Sequence, residues 1–455
     1  MKLRGILSIA CGATMLGACN NVLDTSPYDR VQADQEIVDA ATAQAALNGA
    51  YDGLQASGVY GLDLEVLSEL ASDNATWSGT YQFLGDVSAN RIAADNPEVA
   101  NMWRDLYQQI DRDNTVIERT TALTNVPDET KNEILGEAYF LRALSYHNLV
   151  KYFGAVPMPL VPVKVASDAA KYTRASVEEV YTQILSDLDK AGQMVSNTSD
   201  TRRATVNAVK AIRARVLFYR GSTTNSAADL ASALAAANDV LTSMKDTLTV
   251  PYPDLFSATG SNTSEDIFRV SFTASEENDL GYYYLYDGRT EASATRDIYN
   301  AYESGDLRKA WSIAFWPRST TKYQATKFPT TVGTEHPHVI RLAELVLMKA
   351  EILARQNNLA GAVAEYNKVR VRAGLPKHTL GVEVTSQANV LAAIDKERRL
   401  ELAFEGDRWP DLVRQGRAVA VKGFQDRTYQ LLFPIPIHDI TTTPGLTQNP
   451  GYARP

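Results

Sequence analysis

Helical segments that come in pairs dominate this sequence and leave few folds open to it. From Ile340 to Arg355, and again from Leu359 to Ala373, apolar residues recur at three- and four-residue spacing, and Gly374 and Pro376 close the second run. Small residues sit where two helices must approach closely, Ala350 in the first and Ala362 in the second, with Tyr366 one turn later. Ala362-x3-Tyr366 fits the second-helix half of a tetratricopeptide repeat, while Val346 stands where that repeat has an aromatic. A segment from Pro127 to Tyr152, closed by Gly154 and Pro157, pairs with one starting near Ser176, whose spacing to Glu179 is that of a capping box. Ala204 to Tyr219 with Ala227 to Met244 makes another pair. Asp39 to Leu54 is helical as well, and in 101–120 Trp103, Leu106, Tyr107, Ile110, Asn114 and Ile117 share a face. A single hairpin cannot bury its apolar face, so such pairs stack. The expected fold is mainly α, an array of about four helical hairpins, of which the last resembles a tetratricopeptide repeat.

Two stretches break the pattern. Ser72 to Asn96 is loop-rich, and residues 249–338 are rich in Tyr, Ser, Thr and Gly, as expected of a loop-rich insertion carrying short strands on a rigid scaffold. The ending from Phe433 to Tyr452 is extended and punctuated by proline.

The amino terminus sets the compartment. Lys2 and Arg4 precede an apolar run, Ile6 to Met15, too short to span a bilayer, and Leu16-Gly17-Ala18-Cys19 follows. This resembles a bacterial lipobox, which implies residues 1–18 as a lipoprotein signal peptide and acylation of Cys19 (palmitate among the chains). Residues 19–35 then form a tether and 36–455 the folded domain. The chain's other cysteine, Cys11, lies in the removed segment, so the mature protein has no thiol for a disulfide, a metal or catalysis. Asn20 after the Cys is not the Asp that retains lipoproteins at the inner membrane, which leaves outer-membrane delivery open.

Charge and motifs exclude most chemistry. The formal charge is −9, and −11 once Lys2 and Arg4 are removed, which argues against nucleic acid as a partner. The five histidines, His147, His336, His338, His378 and His438, make no HExxH motif, and His336-x-His338 lacks a third ligand. Neither a Gly-x-Ser-x-Gly elbow nor a phosphate-binding glycine loop occurs. No metal, no cofactor and no enzymatic activity are expected. Sugar rings present apolar C–H faces and polar edges, so a saccharide site needs aromatic platforms bordered by hydrogen-bonding groups. Two segments have that character: Asp73, Asn74, Trp77 and Tyr81 in the first loop, and Tyr282, Tyr283, Tyr284, Tyr286 and Arg289 with Trp316 in the insertion. In an extended Tyr282–Tyr286 run, alternate rings would face opposite ways.

Four segments together resemble the SusD/RagB family of outer-membrane nutrient-binding lipoproteins. They are the lipobox with its NNVLD start, Gly136 to Leu160, Val339 to Pro376 continued by 397–416, and the ending FPIPIHDI…GLTQNPGY. The resemblance implies that the protein captures a glycan or other nutrient outside the cell and delivers it to a SusC-like TonB-dependent barrel. It also implies that binding aromatics arise in loops roughly matching the two segments above. A second reading is a protein-interaction adaptor of an outer-membrane complex, the usual work of tetratricopeptide arrays. The charged set Glu397, Arg398, Arg399, Glu401, Glu405, Arg408 and Asp411 reads as ion pairs locking helices, and Trp409 as a core anchor.

Overall fold

Ser176 caps its helix as its spacing predicts: its hydroxyl accepts the Glu179 N–H at 3.3 Å, and the Glu179 carboxylate accepts the Ser176 N–H at 2.7 Å. The computed structural model describes residues 37–256 and 262–453. Cys19, the signal peptide and the tether lie outside the described residues.

Four helical pairs form the scaffold. Ala40–Gly53 lies against Pro97–Ala122, Asp128–Phe153 against Val177–Met194, Val206–Thr224 against Ala227–Ser243, and Leu342–Arg355 against Leu359–Arg372. Neighbouring pairs touch in turn, and Gln387–Glu401 packs on the last one. Ala350, Ala362 and Tyr366 are fully buried where the last two helices meet, and Gly374 at φ +77° provides the left-handed residue that ends the second. The apolar core runs without interruption from Ile37 through the helices and into the insertion, as far as Leu446. Among the described residues no helix is long and apolar enough to cross a membrane.

The helix expected from Ile340 starts two residues later. His338–Arg341 is a strand, antiparallel to Asp266–Arg269. Val339 and Ile340 are β-branched, which favours extended backbone over a first helical turn, and Asp266–Arg269 supplies the partner strand.

Charged side chains hold the hairpins together. Arg142 grips Asp187 across two helices at 2.7 Å with both buried. Arg398 bonds Asp411 at 2.8 Å and Asp407 at 2.6 Å, Arg308 reaches Glu397 at 3.0 Å, and Arg341 joins Glu401 at 2.7 Å to Glu405 at 2.8 Å. Removing one partner would leave a buried charge uncompensated, at a cost of roughly 3–5 kcal/mol. Trp409 is completely buried beside this network.

Candidate functional site

A four-stranded antiparallel sheet joins the two aromatic segments. We label its strands β1 (Ala75–Trp77), β2 (Ala292–Ala294), β3 (Ile313–Phe315) and β4 (Tyr323–Ala325); their order across the sheet is β1-β2-β4-β3. Trp77 lies opposite Ala292, Ala294 opposite Tyr323, and Tyr323 opposite Phe315. The loop expected from Ser72 to Asn96 thus contains a strand, and also a short helix, Gln82–Ser88. Ala-Thr-Trp is too short to announce itself as a strand without its partner.

Glu291, at the entry to β2, ties the two segments. Its buried carboxylate accepts hydrogen bonds from the Trp77 indole (3.2 Å), the Tyr81 N–H (3.0 Å), the Thr80 N–H (3.3 Å) and Arg289 Nε (2.8 Å). Burial pushes this carboxyl up, but the donors outweigh it and hold it below the ordinary value. A Cβ at Gly79 would lie 2.1 Å from Glu291 Oε2, so a larger residue there would push this carboxylate from its place. Thr295 clamps the far end, donating its hydroxyl to Asp73 O at 2.8 Å and its N–H to Asn74 O at 2.9 Å.

Three aromatic groups cluster around this sheet. Tyr81 and Phe83 meet edge to face at 5.4 Å, and the Arg289 guanidinium lies 5.2 Å from the Tyr81 ring and 5.7 Å from Tyr283. Tyr286, half exposed, packs at 5.5 Å on Trp316, whose indole N–H is donated to Tyr323 O at 3.0 Å. Phe315, also exposed, stacks on Tyr299 and Tyr323, each at 5.0 Å. Beside Tyr286 opens a cleft of about 470 Å³ lined by Leu285, Asp287, Trp311, Pro317 and Gln324. Gln324 Oε1 accepts the Tyr286 N–H at 2.7 Å, which fixes the backbone that carries the platform.

The candidate residues divide accordingly. Tyr286 lines the cleft with Trp316 packed against it, Tyr81, Tyr283 and Arg289 form a second group with exposed Tyr282 beside Tyr283, and Trp77 is half buried under Glu291. Three others are corrected. Tyr284 is fully buried against Phe404 because Leu280–Tyr284 is a helical turn and not a strand, so successive rings fan out by about 100° rather than alternating. Asn74 is buried, donating to Glu69 at 2.8 Å and accepting from Arg399 at 2.9 Å. Asp73 is spent on Arg408 at 2.8 Å and Arg399 at 3.2 Å. The Asp73-Asn74 pair therefore locks the loop to the charged network and is not part of the cleft.

Phe315, Tyr299, Lys309, Lys322 and Glu291 complete the region without having been singled out by composition. The signal available is a hairpin pattern: the apolar run Ile313 to Trp316, the polar turn Pro317 to Thr321, and an alternating stretch with Tyr323 and Ala325. The paired histidines do not converge on a common ligand. His336 Nδ1 accepts the Phe272 N–H at 3.0 Å, and His338 Nε2 meets Asp266 at 2.6 Å.

A second, larger groove of about 900 Å³ lies along Pro97–Ala122, lined by Trp103, Tyr107, Pro157, Pro159, Tyr172 and Leu446 among others, and shares no lining residue with the cleft. Leu160, Val161 and Val165, in the same loop as Pro157 and Pro159, are exposed.

Comparison with known proteins gives a consistent picture. Residues 21–218 match a family model described as SusD-like, starch-binding and associating with the outer membrane, and residues 295–452 match the SusD family model. A SusD-like protein P38 of Formosa agariphila is 26% identical over 96% of each chain. A SusD superfamily structure from Bacteroides vulgatus superposes with a TM-score of 0.82 at 20% identity, covering 91% of this chain and 99% of that one. A laminarin-binding SusD-like protein superposes with a TM-score of 0.78 at 25% identity, covering 91% of this chain and all of the other.

Proposed function

This chain belongs to the SusD/RagB family, and from that premise we propose that it is a non-catalytic, cell-surface lipoprotein that captures an oligosaccharide and passes it to a TonB-dependent barrel of the SusC type. The observation that carries the reading is the exposed Tyr286 ring, seated on Trp316 above a cleft of about 470 Å³. An aromatic face of this kind takes the C–H face of a sugar, while Gln324 and Asp287 offer hydrogen bonds to its edge. Among the described residues lining the cleft only Asp287 is acidic, whereas glycoside hydrolysis ordinarily calls for two carboxyl groups. Capture without turnover fits this set better.

Anchoring through Cys19 at the outer leaflet belongs to the same proposal, with residues 19–35 as tether and 249–338 as the ligand-binding region. A tethered partner raises effective concentration, so modest affinity suffices. The groove along Pro97–Ala122, with exposed Leu160, Val161 and Val165 nearby, favours protein docking as a companion role. Adaptor and capture readings then describe different faces of one molecule.

Isothermal titration against a panel of oligosaccharides tests capture, and heat signals with saturable stoichiometry are expected for at least one class. Pull-down from detergent-solubilised outer membranes should recover a large β-barrel, and mass spectrometry of the native amino terminus should find Cys19 acylated. Silence across the whole panel would remove the capture reading.

A further inference from the structure

Resting on that reading, we infer that the glycan taken by this site is acidic, carrying carboxylate or sulfate groups. Lys322 Nζ lies 4.6 Å from the centre of the Trp316 ring, and Lys309 Nζ lies 3.7 Å from the centre of the Tyr299 ring. Arg318 stands exposed in the turn between β3 and β4, at φ +61°, where its backbone is held outside the usual region for a side-chain-bearing residue. Among the described residues none of these three cations has a carboxylate within ion-pair distance. Arg289, by contrast, is neutralised by Glu291, and Asp287 is the one carboxylate in the cleft lining.

This arrangement runs against the rest of the molecule. A chain with a formal charge of −9 places the unpaired Lys322 on the Trp316 ring that packs against Tyr286, with the unpaired Arg318 in the adjoining turn, while Lys309 belongs to the Tyr299–Phe315 group on the other face of the sheet. The ring quadrupole holds each lysine ammonium over an aromatic face and leaves N–H donors directed outward. An acidic sugar has the matching form: a C–H face to lie on an aromatic ring and a charged group at its edge to meet the ammonium. A neutral sugar would use the rings alone and leave the cations to solvent.

The test is titration of the full-length protein in detergent with two sets of hexasaccharides. The neutral set contains cello-, laminari-, malto- and xylohexaose. The acidic set contains hexagalacturonate and hexamannuronate as carboxylated probes and a carrageenan hexasaccharide as the sulfated one. At about 50 mM salt the best acidic probe should bind at least about tenfold tighter than any neutral one, and at about 300 mM that advantage should fall severalfold as screening shortens the reach of the cations. The double variant Arg318→Asn, Lys322→Gln should reduce the acidic-to-neutral ratio at least about fivefold with an unchanged melting temperature, since both side chains are exposed. Tightest binding by a neutral probe, or acidic binding indifferent to salt and to the double variant, overturns this inference and leaves capture standing. No binding by either set overturns capture itself and the inference with it. Preference between carboxylated and sulfated probes identifies the source of the anion.

Discussion

Glu291 accepts a hydrogen bond from the Trp77 indole at 3.2 Å across 214 residues of chain. The same carboxylate holds the backbone of Thr80 and Tyr81 and the guanidinium of Arg289, so one buried anion sets the position of β1 against β2 and of the loop that follows. Replacing it with alanine leaves those donors without an acceptor. Hydrogen bonds to a charged group contribute more than neutral ones, and Glu291→Ala should cost about 2–3 kcal/mol in urea unfolding. An unchanged unfolding midpoint would mean that the clamp contributes nothing to stability.

Neighbouring tyrosines should separate binding from folding. Tyr286→Ala removes an exposed platform, and its expected effect is at least about tenfold weaker oligosaccharide binding, or ~1.4 kcal/mol, with stability within about 0.5 kcal/mol of the parent. Tyr284→Ala empties a fully buried site against Phe404 and should destabilise by roughly 3–5 kcal/mol. Calorimetric titration and thermal melts on both variants give the comparison; if Tyr286→Ala melts early while binding normally, the assignment of the platform is wrong.

Asp63 should be replaceable at a gain. Its carboxyl is fully buried, meets the carboxyl of Glu98, and has no N–H or O–H donor among the described residues. Burial first, and the Glu98 carboxyl second, push it well above its ordinary value of 3.8, so the folded chain holds a proton that the unfolded chain releases. Stability is therefore full below 3.8 and declines as pH rises from there toward the raised value. Asp63→Asn keeps the shape and supplies a donor to Glu98. It should stabilise the protein by ~1–2 kcal/mol at pH 8, and by less at about pH 5. A variant that melts lower than its parent at the higher pH would refute the argument.

Histidine gives the opposite slope. His147 is fully buried against Tyr219, both of its ring nitrogens lack a hydrogen-bond partner among the described residues, and burial pushes it well below 6.5. His336 is pushed down to about 4, again mainly by burial. Each stays neutral in the fold and gains a proton when unfolded, so stability is complete above 6.5 and is lost as pH falls from 6.5 toward the depressed values. His147→Phe should flatten part of that loss in melts run from about pH 7 to 5, and His336→Gln part of the remainder. Equal slopes for variant and parent would show that His147 is protonated in the fold.

Much of the scaffold was legible from the chain alone. Helical periodicity, the Ser176–Glu179 cap, the small residues Ala350 and Ala362 and the alternating charges around Arg398 are local signals, and the helices they specify appear within a few residues of where they were expected. Local signals suffice because a helix closes its hydrogen bonds within itself, and its apolar stripe states which side must be covered.

The site was different. Composition singles out two aromatic segments, yet it cannot distinguish the exposed Tyr286 from the buried Tyr284, or foresee that Asp73 and Asn74 are spent on Arg408, Arg399 and Glu69. A three-residue strand has no identity until its partner is known, because its hydrogen bonds are made to another segment. Which rings face outward depended on a single helical turn at Leu280–Tyr284, and which loops met depended on a carboxylate 214 residues away. The helices and their pairing follow from the chain by itself; which aromatic faces stay open follows from the assembled fold, since exposure is a property of what packs around a side chain and not of the side chain itself.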